Sequence, residues 1–160
     1  SAGHFLKTDG SSNLSFAAAS GGGGGWHGST ALIKVLPTEW VGGDVGRAIV
    51  KIRIEDDTAN LLGAQCDQTN GSIFAFNEIP TGYKATHVKV NASSAVSNGV
   101  DVLHYAIATG ATSNSTTGDT NSTIDITDMT SSASNALVIK VTPGATTVFI
   151  YSAEITIAAV

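Results

Sequence analysis

Charged residues and cysteine are scarce in this sequence. Asp, Glu, Lys and Arg make up 13% of its 160 residues, about half the share in ordinary soluble proteins. The net charge is −5 and the sequence contains no basic run. This argues against binding of nucleic acid, because no cluster of Lys or Arg would neutralise the phosphates. Lone Cys66 excludes an internal disulfide framework. No apolar run approaches the ~18 residues of a membrane helix. We therefore expect neither nucleic acid nor a membrane as a partner.

Ser, Thr, Asn and Gly supply the polarity that charge does not. Apolar residues account for 42% of the chain, and its length is sufficient for one domain with a real core. A surface of small uncharged polar residues favours an extracellular or assembly protein over a cytosolic enzyme. The chain begins at Ser1 rather than Met, from which we expect a processed product or part of a longer protein.

Apolar and polar residues alternate with a period of two along most of the chain, which is typical of half-buried antiparallel strands. The clearest examples are "STALIKV", "RAIVKIRIED", "ATHVKVNAS", "VDVLHYAIA", "STIDITD", "NALVIKV" and "TTVFIYSAEITIA". Turn residues separate these segments: Asn70-Gly71 and Asn98-Gly99 predict tight hairpins, and Pro143-Gly144 joins the last two strands. About nine strands at intervals of ~10 residues predict an all-β protein, an antiparallel β-sandwich of jelly-roll-like type.

Two segments depart from this period. Residues 111–122, "ATSNSTTGDTNS", contain no large apolar side chain, so we expect a solvated loop that tolerates deletion. The N-terminal segment predicts a short β-hairpin, with strands "HFLKT" and "NLSFA" around Asp9-Gly10. Such a hairpin is marginal alone and needs another surface to cover it. We expect a hairpin arm over 1–20, a glycine-rich hinge over 21–28 and the sandwich over 29–160.

The hairpin segment "GHFLKTDGSSNLSFAAAS" resembles the "FLKTDGSGxLSF" segment of fibre and other virion structural proteins of tailed bacteriophages, especially marine ones. The segments "GSTALIKVLPTEW", "IEDD" and "IPTGYKATHVKV" are similar to the small β-domains that follow it there. Ser12 stands where that family usually has Gly, which stiffens the turn. The resemblance implies a virion component, commonly a homotrimer around a threefold axis.

Five glycines, Gly21 to Gly25, connect the hairpin to the sandwich and run directly into Trp26. A phosphate-binding loop is excluded because no Lys-Ser/Thr and no helix follow. Two alternatives remain: a hinge that lets the hairpin leave its own sandwich and dock elsewhere, and an ordinary flexible tether. With the hinge, the expected contacts with other subunits come from apolar residues of the arm and the hinge, which are Phe5, Leu6, Leu14, Phe16 and Trp26.

Residues that could carry chemistry are scattered. His4, His27, His87 and His104 lack the spacing of metal ligands. His87 and His104 fall on polar faces of strands expected to be adjacent, where a cross-strand polar pair is expected. The run Glu55–Asp57 is either a solvated strand end or a Ca²⁺ site. No nucleophile elbow or triad is present. We expect no enzymatic activity, no catalytic residue, no metal and no cofactor.

Two functional classes follow. The first is a structural virion protein, a tail-fibre or appendage module or a capsid-decorating protein, located on the particle surface. Its partners would be other virion proteins and copies of itself, which the resemblance implies form a homotrimer. The second is a carbohydrate-binding sandwich that recognises a host surface glycan, in which Trp26, Trp40 and Tyr83 would stack on sugars.

Overall fold

Strands make up nearly all the regular structure of this chain. The structure is a computed structural model that describes residues 4–8, 14–18, 29, 31–45, 48–56 and 61–160. For residues 4–8 and 14–18 only the backbone is described. The strands are, in chain order, β1 (His4–Thr8), β2 (Leu14–Ala18), β3 (Leu32–Val35), β4 (Val41–Gly42), β5 (Asp44–Val45), β6 (Ala48–Ile49), β7 (Ile52–Asp56), β8 (Leu62–Cys66), β9 (Ile73–Asn77), β10 (Tyr83–Ala92), β11 (Val100–Ala106), β12 (Thr112–Gly118), β13 (Thr123–Thr130), β14 (Asn135–Val141) and β15 (Phe149–Ala159). A short 3-10 helix covers Pro37–Glu39. Within these ranges no helix is long and apolar enough to cross a membrane.

Two antiparallel sheets form a sandwich. Sheet I has the order β13-β10-β15-β8-β7, and β3 also pairs with β15. Sheet II has the order β12-β11-β14-β9-β4. The strands β1 and β2 pair with each other, as do β5 and β6. The predicted all-β sandwich and the hairpin strands before it are confirmed, whereas the hinge predicted over 21–28 lies outside the described residues.

The eight strands from β8 to β15 have the strand order of a jelly roll. In sheet I they run β8-β15-β10-β13, and in sheet II β9-β14-β11-β12. This arrangement of two interleaved Greek keys is the jelly-roll topology. The predicted jelly-roll-like architecture is therefore confirmed.

The core lies between the sheets and is filled by alternate residues of each strand. In β14, Leu137, Ile139 and Val141 are fully buried in the core, and Ile150 and Ile155 of β15 are buried with them. Since successive side chains point to opposite faces of a sheet, the residues between them face outward. The inward set of β14 thus determines which of its residues form the outer face of sheet II.

The two predicted Asn-Gly hairpins are wrong in their connections. Asn70-Gly71 lies between β8 of sheet I and β9 of sheet II, and Asn98-Gly99 lies between β10 of sheet I and β11 of sheet II. Asn98 does adopt a positive φ of 51°. Both turns therefore carry the chain from one sheet to the other. Among β8 to β15, consecutive strands share a sheet in one case, β11 and β12.

The prediction that residues 111–122 form a deletable loop is also wrong. Thr112–Gly118 forms β12, the edge strand of sheet II, in which Thr116 pairs with Val102 and Gly118 with Val100. The side chains of this edge strand are largely exposed. Backbone pairing with β11 holds the strand in the sheet, so large apolar side chains are not required. Thr120, just after this strand, is 1% exposed.

Thr120 joins two connections at one end of the sandwich. Its hydroxyl accepts a hydrogen bond from the Val96 amide at 2.7 Å and donates one to the Ser94 carbonyl at 3.1 Å. Its own amide donates to the Val96 carbonyl at 3.1 Å. Next to it, Asn121 accepts a hydrogen bond from the Ala92 amide at 2.8 Å. The segment after β12 therefore holds the β10–β11 connection in place.

We expect Thr120→Val to lower the free energy of unfolding by about 1–3 kcal/mol, because it leaves the Val96 amide and the Ser94 carbonyl without their side-chain partner. Thr123→Val, at an exposed position of β13, is the matched control and should change stability by less than about 0.5 kcal/mol. Urea denaturation of both variants measures the difference. Equal stabilities would contradict a structural role for the Thr120 hydroxyl.

Candidate functional site

The outer face of sheet II is apolar across three neighbouring strands. Phe76 of β9 pairs with Val138 of β14, and Val138 pairs with Leu103 of β11. On one side of this row Ala136 pairs with Tyr105, and on the other Phe74 pairs with Lys140. We call the apolar members of these rows the apolar patch, and they are Phe74, Phe76, Leu103, Tyr105, Ala136 and Val138.

The apolar patch is well packed although it lies outside the core. Val138, at its centre, is 3% exposed, since it is flanked by Phe76 and Leu103 in the register. The rings of Phe76 and Tyr105 meet edge to face, with centroids 5.5 Å apart and planes at 82°, a favourable aromatic geometry. Phe76 itself is 56% exposed, and Val41 beside Phe74 is 52% exposed. The face therefore presents ordered apolar groups to solvent.

An ion pair borders the apolar patch. Lys140 Nζ lies 3.0 Å from Asp101 Oδ2, and the Thr117 hydroxyl donates to Asp101 Oδ1 at 2.7 Å. Partial burial raises the pKa of Asp101, but the hydrogen bonds from Thr117 and Lys140 and the lysine charge outweigh it, so the pKa lies below its usual value. The patch thus ends at a charged pair.

The outer face of sheet I has the opposite character. Glu154 of β15 pairs with Lys34 on one side and with Lys89 on the other. Lys84 forms an ion pair with Asp128 at 2.6 Å. Oppositely charged residues on neighbouring strands suit a face that meets water. The two outer faces of the sandwich therefore differ, and the face of sheet II is the candidate for binding another surface.

Four of the residues predicted to contact other subunits, Phe5, Leu6, Leu14 and Phe16, belong to the N-terminal hairpin. In its register Leu6 pairs with Phe16, Thr8 with Leu14, and Phe5 with Ala17. The side chains of these residues, and the whole of Trp26, lie outside the described part of the chain. Their predicted role in oligomer contacts remains a prediction.

The aromatic residues predicted to stack on sugars do not form a common surface where they are described. Trp40 is 5% exposed and belongs to the core, so its ring faces are not available to a ligand. Its indole Nε1 has no acceptor among the described atoms. Tyr83 is half-buried against the core. The exposed aromatic residue is Phe76 instead, which the sequence did not single out.

The predicted pairing of His87 with His104 is wrong, because β10 and β11 belong to different sheets. His87 Nε2 lies 3.6 Å from Asp125 on β13. His104 Nε2 lies 3.1 Å from the Thr127 carbonyl, and its Nδ1 lies 3.1 Å from the Asn114 amide nitrogen. His104 therefore contacts β12 and the backbone of β13 rather than His87.

The described residues contain no group of three or more His, Cys, Asp or Glu that could hold a metal ion. Of the predicted acidic run, Glu55 forms an ion pair with Arg53 at 3.1 Å, and Asp57 lies outside the described residues. The Ca²⁺ alternative for this run therefore remains untested.

A cavity of about 340 Å³ opens at the end of the sandwich where the β9–β10, β11–β12 and β13–β14 connections meet. The residues that line it are both polar and apolar and include Glu78, Thr81, Ile107, Ser131, Ser132 and Asn135. Asn135 is held by hydrogen bonds to the Ser132 amide and the Thr130 carbonyl. Hydroxyl and amide groups beside exposed Ile107 could hold a small polar molecule, but no nucleophile and base are paired there.

No protein-family model matches the chain, and no curated protein is a significant match.

The single cysteine is part of the core. Cys66 is fully buried at the end of β8. Burial, together with the neighbouring charge of Asp67, raises the pKa of the thiol from 9.0 to about 11. A buried thiol with a raised pKa is a poor nucleophile.

This pKa makes stability depend on pH. The unfolded thiol ionises near its ordinary pKa of 9.0, whereas the folded thiol ionises near 11. The folded state therefore binds more protons between these values, and stability should fall as pH rises through that window. We expect the free energy of unfolding of the wild type to decline more steeply from pH 9 to 11 than that of Cys66→Ala, measured by urea denaturation. Parallel declines would contradict the raised pKa.

Proposed function

We propose that this protein is a non-enzymatic structural component of a bacteriophage virion, either a tail-fibre or appendage module or a capsid-decorating protein. It assembles as a homo-oligomer, a trimer, on the particle surface. Its partners are copies of itself and other virion proteins. The resemblance of the N-terminal hairpin to virion proteins supports the location, and the jelly-roll topology, which capsid proteins share with lectins, is compatible with it.

The apolar patch is the observation that carries the assembly role. Phe76 and Val41 are exposed beside the packed Val138, and a contiguous apolar face is a place where another protein surface can bind. The ion-paired outer face of sheet I shows that this sandwich can have a water-compatible face. An apolar outer face on the other sheet is therefore best explained by contact with another protein surface.

Sedimentation equilibrium of the full chain tests the assembly. We expect a species of three times the 16.2 kDa chain mass. Its dissociation should depend weakly on salt, because apolar contacts are not screened. A monomer at all concentrations would contradict the proposed oligomer. Mass spectrometry of purified particles tests the location, and absence of the chain from intact virions would contradict the virion role.

A carbohydrate-binding function is the second candidate, and the end cavity favours it. Its volume of about 340 Å³ and its hydroxyl and amide groups suit a small polar ligand such as a sugar. If this function holds, a glycan array should identify a ligand, and Ala133→Trp, which fills the cavity, should abolish binding. Phe76→Ser is the control, because Phe76 is not among the residues that line the cavity, and this variant should still bind the glycan. Absence of any glycan signal would remove this candidate.

A further inference from the structure

We propose that the apolar patch of sheet II is the docking site for the β1–β2 hairpin of a neighbouring copy of this chain. The inference rests on the proposed homo-oligomer and specifies the contact that joins its subunits. The patch offers Phe74, Phe76, Leu103, Tyr105 and Val138, and the hairpin is the segment that would cover them.

The size of the apolar patch selects a hairpin over a whole domain. Its three strands lie about 5 Å apart and its three rows about 7 Å apart, which gives a face of roughly 10 by 14 Å before side chains are added. A stable interface between two proteins buries about 800 Å² on each partner, several times this face. A ribbon of two five-residue strands, about 17 Å long and 5 Å between strands, matches it.

The register of the hairpin gives it one strongly apolar face. Leu6 pairs with Phe16, and Leu14 pairs with Thr8, two residues along the same strand from Leu6. Because residues two apart share a face, Leu6, Leu14 and Phe16 are placed on one face of the ribbon. Within the described residues β1 and β2 pair with no strand of the sandwich. A two-stranded ribbon of this kind is marginal until its apolar face is covered.

The position of β3 favours a neighbouring copy over the same copy. The connector from the hairpin enters the sandwich through β3, which pairs with β15 in sheet I, whereas the apolar patch lies on the outside of sheet II. Residues 19–31 can span up to about 45 Å when extended, so the connector is long enough to reach a neighbouring copy. The chain thus enters the sandwich in sheet I, whereas its own patch lies on the outside of sheet II, so the patch of a neighbouring copy can be reached without the connector passing around the sandwich.

Disulfide trapping between two differently tagged full-length chains tests this contact directly. One chain carries Phe16→Cys and the other carries Phe76→Cys, so a disulfide between them forms only between copies. We expect a mixed disulfide on mild oxidation, at about ten times or more the yield obtained when Thr123→Cys, on the outer face of sheet I, replaces Phe76→Cys. Cys66 is fully buried and can remain in place. Equal yields would overturn the proposal, as would a disulfide that forms efficiently only when both cysteines are in one chain.

Matched charge substitutions give an independent readout. Phe76→Asp and Thr123→Asp add the same charge at exposed positions of opposite outer faces. We expect Phe76→Asp to raise the dissociation constant of the oligomer at least about tenfold, as loss of an interface anchor does, and Thr123→Asp to leave it within about twofold. Phe76→Ser repeats the test without an added charge, and thermal unfolding checks that each variant is folded. If the wild type and all three variants remain equally oligomeric, the docking site is wrong while the proposed oligomer stands. If the wild type is monomeric at all concentrations, the proposed oligomer itself fails, and the docking site with it.

Discussion

Strand β15 is hydrogen-bonded along both edges, and the sandwich depends on it. One edge pairs with β10 over nearly its whole length, while the other pairs first with β8 and then with β3. Its inward residues Ile150, Ile155 and Ile157 meet the core from sheet I. They pack with Leu137 and Ile139 of β14, the central strand of sheet II. Because those residues of β14 must point inward, Ala136 and Val138 must point outward, so the packing of the core creates the apolar patch.

Much of the sandwich could be predicted from the sequence because its sheet I strands alternate clearly. In β13, Ile124 and Ile126 are buried while Asp125 is exposed, and β10 buries Val88 and Val90. What local patterns could not give was the connectivity. An Asn-Gly pair indicates a chain reversal with a permissive backbone. The same reversal can connect two strands of a hairpin or two strands in different sheets, and Asn98-Gly99 connects strands in different sheets. Strand β12 was missed because an exposed edge strand needs only backbone pairing on one side.

The candidate site was harder to predict for a physical reason. In "NALVIKV" and "VDVLHYA" both alternating sets contain apolar residues, so period-two patterning identifies a strand but not its buried face. The strand "SIFAF" places Ile73 and Ala75 inward and leaves the larger Phe74 and Phe76 outward, contrary to any ranking by size. Apolar residues on both faces of neighbouring strands were the available signal that the outer face would be apolar too. Trp40 shows the reverse problem, since nothing local distinguishes a buried indole from an exposed one.

The pairing of β3 with β15 has a consequence for the order in which the molecule forms. These strands lie at opposite ends of the sandwich sequence, and all but one of the connections from β8 to β15 pass between sheets. Contacts so distant along the chain make folding slow, because the entropy of closing long loops is lost before strand pairing stabilises the structure. During synthesis β14 and β15, which complete both sheets, leave the ribosome after the hairpin and all the other strands. A chain that lacks β14 has no complete sheet II, so the proposed contact between copies can form only after that strand is in place.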